Sequence, residues 1–285
     1  MEHQVSLYLS HLNIYPIKST HHIPLLESEV LFTGLKDDRR YMLVDESGLF
    51  ITARTHPHMS LIKTQVTNQG LLVESDQCSG ALILDETLFS SERLTVDIWE
   101  TLVDAKRTTN EADKWFSDAL DEPVKLVYFD EESVRYTKKD STDPVAFADG
   151  YPFLLTTEGS LKELNETAAH PIEMLRFRPN LVISGSEPFA EDTWKIIRIG
   201  DVIFENQKPC TRCIFTTLDP VTAQRSPKGE PLKSLAKFRL VNKEGVTFGV
   251  NLVAQNEGEI KVGDSVEILE YKEPEKYEDR RKPKS

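Results

Sequence analysis

The sequence predicts a β-rich α+β fold. Short apolar runs rich in β-branched residues recur along most of the chain, turns containing glycine or asparagine separate them, and only two stretches carry helical periodicity. At 285 residues and 39% hydrophobic content the chain can bury a sizeable core, in one large or two ordinary domains. We place those domains at residues 1–108 and 109–271, followed by a tail over 272–285.

Strands dominate the first third. Residues 41–44 and 49–52 flank Asp45-Glu46-Ser47-Gly48, and residues 61–66 and 71–73 flank Thr67-Asn68-Gln69-Gly70, so both segments predict hairpins. Residues 82–84 and 94–99 add strands. A helix follows from Asn110, a possible cap, with Ala112, Trp115, Phe116, Ala119 and Leu120 at spacings that make one apolar stripe. A strand at 124–129, a loop rich in Asp, Lys and Thr, a strand at 152–155 and a helix over 160–168 come next. Strands return at 178–183, 194–199, 202–206, 247–253 and 265–269, with no internal repeat. The charged tail contains Pro274 and Pro283 and has almost nothing to bury, so it reads as disordered.

The formal net charge of −13 repels phosphate backbones, and the Lys and Arg residues form no basic stripe, which argues against nucleic-acid binding. Three cysteines, an odd number, fit a reducing compartment better than a disulfide framework. No apolar run approaches the ~20 residues of a membrane helix, and the N-terminus lacks the pattern of a signal peptide. The expectation is a soluble cytoplasmic protein with no membrane anchor.

Cys210 and Cys213 lie in Lys208-Pro209-Cys210-Thr211-Arg212-Cys213, where Arg212 supplies the positive charge that favours a thiolate. The bare spacing leaves three readings open: half of a zinc site, a dithiol redox motif, or two small buried hydrophobes. A closed zinc site would have to recruit Cys78 or His56 and His58. A redox dithiol would open a helix, whereas residues 214–218, Ile-Phe-Thr-Thr-Leu, read as a strand. Four further spots end or open strands, where a rigid scaffold holds recognition groups: Tyr15-Pro16-Ile17-Lys18-Ser19, Asp38-Arg39-Arg40, Asp149-Gly150-Tyr151-Pro152 and Arg178-Pro179-Asn180. Taken singly, each is an ordinary turn or solvated cation.

Taken in order with Thr52-Ala53-Arg54 and the cysteine segment, these motifs resemble the MOSC proteins (molybdenum cofactor sulfurase C-terminal). Within them the chain resembles the bacterial YcbX-like proteins and the mitochondrial amidoxime reducing component, over about residues 7–270. The resemblance implies a MOSC N-terminal β-barrel-like domain followed by a MOSC β-barrel domain with a few helices. It implies the molybdenum cofactor, Mo-molybdopterin, with Cys213 as metal ligand and Cys210 not a ligand, and no pyridoxal phosphate. Lys18, Ser19, Arg39, Arg178, Asn180, Thr211 and Arg212 match cofactor-holding positions, and Asp149 matches an acidic residue near the metal, a proton relay or an anchor for a water ligand. A soft thiolate suits a sulfur-rich molybdenum centre, and Arg and Lys suit the pterin phosphate.

The implied reaction is reduction of N-hydroxylated compounds, namely amidoximes, hydroxylamines or N-hydroxylated bases. Electrons would come from a separate flavoprotein or small carrier, because no cysteines follow Cys213 to build a ferredoxin-type cluster. Residues 186–192 and 221–231, long and turn-rich, are candidate substrate loops. Two alternatives remain: a protein that stores or delivers the cofactor, and a persulfide sulfur carrier.

Overall fold

The computed structural model describes residues 6–241 and 245–281. Its larger sheet has nine strands. From one edge these run Val266–Tyr271, Trp194–Ile199, Val202–Thr211, Gly245–Ala254, Phe153–Thr157, Leu181–Ser184, Tyr8–Ile14 and Ile23–Leu25, with Leu240–Val241 paired on the side of Gly245–Ala254. Neighbours are antiparallel except Phe153–Thr157 with Leu181–Ser184, which the helix Glu158–Thr167 connects as a parallel crossover. A four-stranded antiparallel sheet orders Tyr41–Val44, Lys125–Tyr128, Thr101–Arg107 and Arg93–Ile98, and two three-stranded sheets flank these.

Strands from both sides of residue 108 share sheets. Tyr8–Ile14 pairs with Leu181–Ser184, placing Leu12 opposite Leu181, while Lys125–Tyr128 pairs with Tyr41–Val44. Central strands such as Phe153–Thr157 are buried along their whole length, whereas Val202–Thr211 buries mainly alternate residues. Leu9, Leu12, Phe153, Leu181, Trp194 and Phe204 thus form the core beneath the large sheet, with Phe153 and Phe204 packed edge to face at 5.2 Å. Burying side chains of this size stabilises by about 1.5–3 kcal/mol each. Gly249 lets the long strand Gly245–Ala254 pass its neighbour. Its φ is +73°, and a Cβ there would stand 2.5 Å from the Leu155 carbonyl oxygen.

Four local expectations change. Residues 214–218 are not a strand: Ile214–Thr217 is a 3-10 turn, because Thr216 Oγ1 donates to the Cys213 carbonyl at 2.9 Å and Thr217 Oγ1 to that of Ile214 at 2.7 Å. Residues 49 and 50 make isolated bridges to Asp97 and Val44 instead of a strand. The helix Asn110–Leu120 is capped by Thr109, whose hydroxyl accepts from Ala112 N, with Asn110 already inside it. The tail read as disordered has no helix or strand in residues 272–281, yet it is fastened: the Tyr277 ring covers Arg239 at 3.8 Å, and Arg281 pairs with Glu163. Residues 282–285 of the tail, and the first residue of the strand-like run that the sequence offers over residues 5–9, lie outside the described residues. No helix among the described residues is long and apolar enough to cross a membrane.

Candidate functional site

A cleft of about 810 Å3 opens where the two larger sheets meet, lined by ten Lys and Arg side chains and a single carboxylate, Asp149. In a chain with net charge −13 this concentrates positive potential at one place. Three of its residues, Ser19, Arg39 and Arg178, adopt left-handed backbone with φ of 73°, 49° and 56°. Non-glycine residues pay for such conformations only where surrounding contacts over-determine them. Those contacts centre on Tyr15. Its amide donates to Asp38 Oδ1 at 2.8 Å, its hydroxyl donates to the Pro179 carbonyl at 3.3 Å, and its ring carries Arg178 at 4.0 Å and Arg39 at 4.4 Å. Burial pushes the Tyr15 hydroxyl up to about 12, so it stays a donor.

The cations differ in how far they are already neutralised. Arg39 pairs with buried Asp38 at 2.6 Å and donates to Asn180 Oδ1 at 3.0 Å. Asn180 also accepts from Leu154 N and donates to the Asn13 carbonyl, tying three segments together behind the cleft. Arg178 donates to the Thr20 carbonyl at 2.6 Å and has no carboxylate partner among the described residues. Burial lowers it to about 10, which leaves it charged at neutral pH. Arg212 donates to Cys210 Sγ at 2.7 Å and to the Phe177 carbonyl at 2.5 Å, while its buried Nε has no protein partner.

Around Cys213 the geometry is tighter. Lys18 and Arg54 each hold one oxygen of Asp149, Arg54 at 2.6 Å, and Arg54 Nε also donates to Cys213 Sγ at 3.3 Å. Burial would raise the Asp149 carboxyl, but the two cations outweigh it and hold the group well below the usual carboxylate range. Burial lowers Lys18 to about 8 against the opposing pull of Asp149. Lys18 and Arg54 together thus favour the ionised form of Asp149.

All nine residues singled out in the sequence, Lys18, Ser19, Arg39, Asp149, Arg178, Asn180, Thr211, Arg212 and Cys213, line this one cleft. The candidate substrate loops do not. Residues 186–192 turn inward, with Glu191 and Asp192 buried, and residues 221–231 touch the site only through Arg225, which donates to the Arg54 carbonyl at 2.6 Å. Of the two thiols in the segment, Cys210 takes the charge of Arg212, and Cys213 takes that of Arg54. Arg54, Trp99 and Arg135 were not among the expected site residues. Arg54 was visible within Thr52-Ala53-Arg54, whereas Trp99 and Arg135 carried no local signal. His56 pairs with Glu122 at 3.1 Å and Cys78 contacts the Trp115 carbonyl, and neither lines the cleft.

Two family models cover most of the chain, the MOSC N-terminal beta barrel domain over residues 6–123 and the MOSC domain over residues 142–267. The chain is 31% identical over 280 residues to mitochondrial amidoxime-reducing component 1 of Homo sapiens, a match spanning 92% of this chain and 82% of that protein. The chain belongs to the MOSC family. This MOSC protein is also 31% identical to mitochondrial amidoxime reducing component 2 of Homo sapiens, over 89% of its own length and 81% of the relative's. Against component 1 of Mus musculus the figures are 32%, 92% and 82%. Its two-domain, β-rich architecture with three α-helices among the described residues agrees with both family models.

Proposed function

We propose that this protein is a molybdenum cofactor-dependent oxidoreductase that reduces N-hydroxylated compounds such as amidoximes, hydroxylamines and N-hydroxylated bases. The relatives' names support the amidoxime class. The cleft's donor set fits the cofactor: a cleft-exposed thiol for a soft metal, and Arg178 without a carboxylate partner beside Arg212 with an unpartnered buried Nε for a phosphate. In this reading Cys213 ligates the metal, Arg178 and Arg212 take the phosphate, and Lys18, Ser19, Arg39 and Thr211 complete the wall. Asn180 acts one layer back, by fixing Arg39. When bound, the cofactor supplies the two-electron chemistry that removes oxygen from nitrogen.

The protein's own contribution is electrostatic and positional. Asp149, whose ionised form Lys18 and Arg54 favour, orients groups near Cys213. The observation that carries the reading is the Arg54 guanidinium joining Cys213 and Asp149 inside a cation-lined cleft. We take the electron donor to be a separate redox protein, in keeping with the relatives' names, which call each a component. All three thiols are free, which supports a reducing compartment, and we take the cytoplasm as that compartment.

The test is turnover. Protein made in cells that synthesise the cofactor should contain molybdenum and pterin and should reduce benzamidoxime or N-hydroxylated adenine only when a chemical or flavoprotein donor is supplied. Loaded protein that leaves every such substrate untouched would instead be a storage or delivery protein. Molybdenum-free protein releasing sulfur from Cys213 would be a persulfide carrier.

A further inference from the structure

Trp99 and Glu100 form the tip of the hairpin between Arg93–Ile98 and Thr101–Arg107, and both have positive φ, 55° and 66°. Two-residue tips of this hand favour Asn-Gly, since a Cβ crowds the backbone there, so a tryptophan persists only where its surroundings hold it. Here the surroundings are the cleft. The indole lies 4.7 Å from Arg54 Cζ and 4.8 Å from the Phe50 ring, and its Nε1 donates to Asp149 Oδ1 at 3.4 Å. Lys18 completes the circuit, with Nζ 5.7 Å over Phe50 and an ion pair to Asp149. Lys18, Asp149, Arg54, Trp99 and Phe50 thus form a closed ring, and Arg54 extends it to Cys213 Sγ.

A planar guanidinium has edges for hydrogen bonds and faces for aromatic rings. The edges of Arg54 are spent on Cys213 and Asp149, and the indole covers a face. Arg225 reaches only the Arg54 backbone, so it does not set the direction of the side chain. We infer that Trp99 is a positioning residue for the Cys213 end of the cleft, acting through Arg54. The inference rests on the proposed function, on cofactor binding for its release readout and on reductase activity for its kinetic one.

The test is a double-mutant cycle in cofactor-loaded protein, comparing Trp99→Ala, Arg54→Ala and the double variant, with Trp99→Phe as the conservative change. One readout is the rate of cofactor release after dilution, and the other is kcat and KM for benzamidoxime per bound molybdenum. Trp99→Ala should speed release and lower kcat by about tenfold each, with KM moving less than about twofold. Trp99→Phe should recover most of both, because it keeps an aromatic face. In the Arg54→Ala background, Trp99→Ala should add less than about twofold, as non-additive partners do.

Multiplicative effects, or unchanged release and kcat in Trp99→Ala, would overturn the inference, and so would a rise in KM alone, which would make Trp99 a substrate contact. Should Trp99→Ala fail to fold, Trp99→Phe and Trp99→Leu decide instead: faster release with Leu than with Phe supports the inference, and equal release overturns it. If the loaded parent reduces no N-hydroxylated compound, the reductase proposal falls while the release-rate cycle still decides the role of Trp99.

Discussion

Arg54 Nε lies 3.3 Å from Cys213 Sγ, although 159 residues separate the two. Cys210, three residues from Cys213, is occupied by Arg212 at 2.7 Å. The two thiols therefore sit in different hydrogen-bond environments despite their spacing, and do not behave as a matched pair. Cys213→Ala should abolish bound molybdenum while Cys210→Ala keeps most of it, measured by elemental analysis of purified protein. Equal loss from both would restore a shared dithiol site.

Arg178 is a buried cleft cation with no carboxylate partner among the described residues: it donates to the Thr20 carbonyl, and its face rests on Tyr15 and Phe215. Arg178→Ala should weaken pterin retention by about 1.5–3 kcal/mol, the range for one charge-assisted hydrogen bond. Lys18→Ala should weaken it by a different route, by releasing one oxygen of Asp149. Pterin content after dialysis, set beside the thermal midpoint of each variant, separates this from simple unfolding.

Glu191 is fully buried and has no ion-pair partner among the described residues; Ser160 Oγ donates to it at 2.8 Å and Thr157 Oγ1 at 3.1 Å. Burial, with Asp192 beside it, pushes its carboxyl from 4.5 up to about 7. The folded state then binds the extra proton between those values. Its contribution to stability is complete below about 4.5 and is lost as pH rises through about 7. Glu191→Gln should be the more stable protein at pH 8, by an amount on the order of 3 kcal/mol, and the two should converge near pH 4.5. Urea unfolding at several pH values measures this, and parallel curves would refute it.

Asp192 and Arg239 form a buried pair at 2.6 Å, and Tyr277 Oη accepts from Arg239 at 3.0 Å. Asp192→Ala should cost about 3–5 kcal/mol, because it strands a buried guanidinium. Tyr277→Phe should cost about 1 kcal/mol, the ordinary worth of one hydrogen bond, because the ring still covers Arg239. Denaturant midpoints check both, and no change in Tyr277→Phe would mean that this hydrogen bond adds nothing to the ring contact.

Local pattern made much of this protein legible. Short apolar runs between glycine-containing turns foretold strands such as Trp194–Ile199, because β-branched residues suit a pleated, half-buried surface. Singly the strand-end motifs read as ordinary turns, and it was their order, which resembles the MOSC family, that implied the nine site residues that meet in the cleft. The 3-10 turn at Ile214–Thr217 escaped notice because β-branched threonines read as strand until their hydroxyls bond backward to the chain.

By its own content the sequence determined the β-rich class, the family and the residue types that meet at the cleft. Tertiary structure alone decided which partner each took. Arg54 rather than Arg212 faces Cys213, and Trp99 arrives from a hairpin tip to cover Arg54. Such choices depend on how two sheets pack across the cleft, and a contact between residues far apart in the chain leaves no periodic mark near either one.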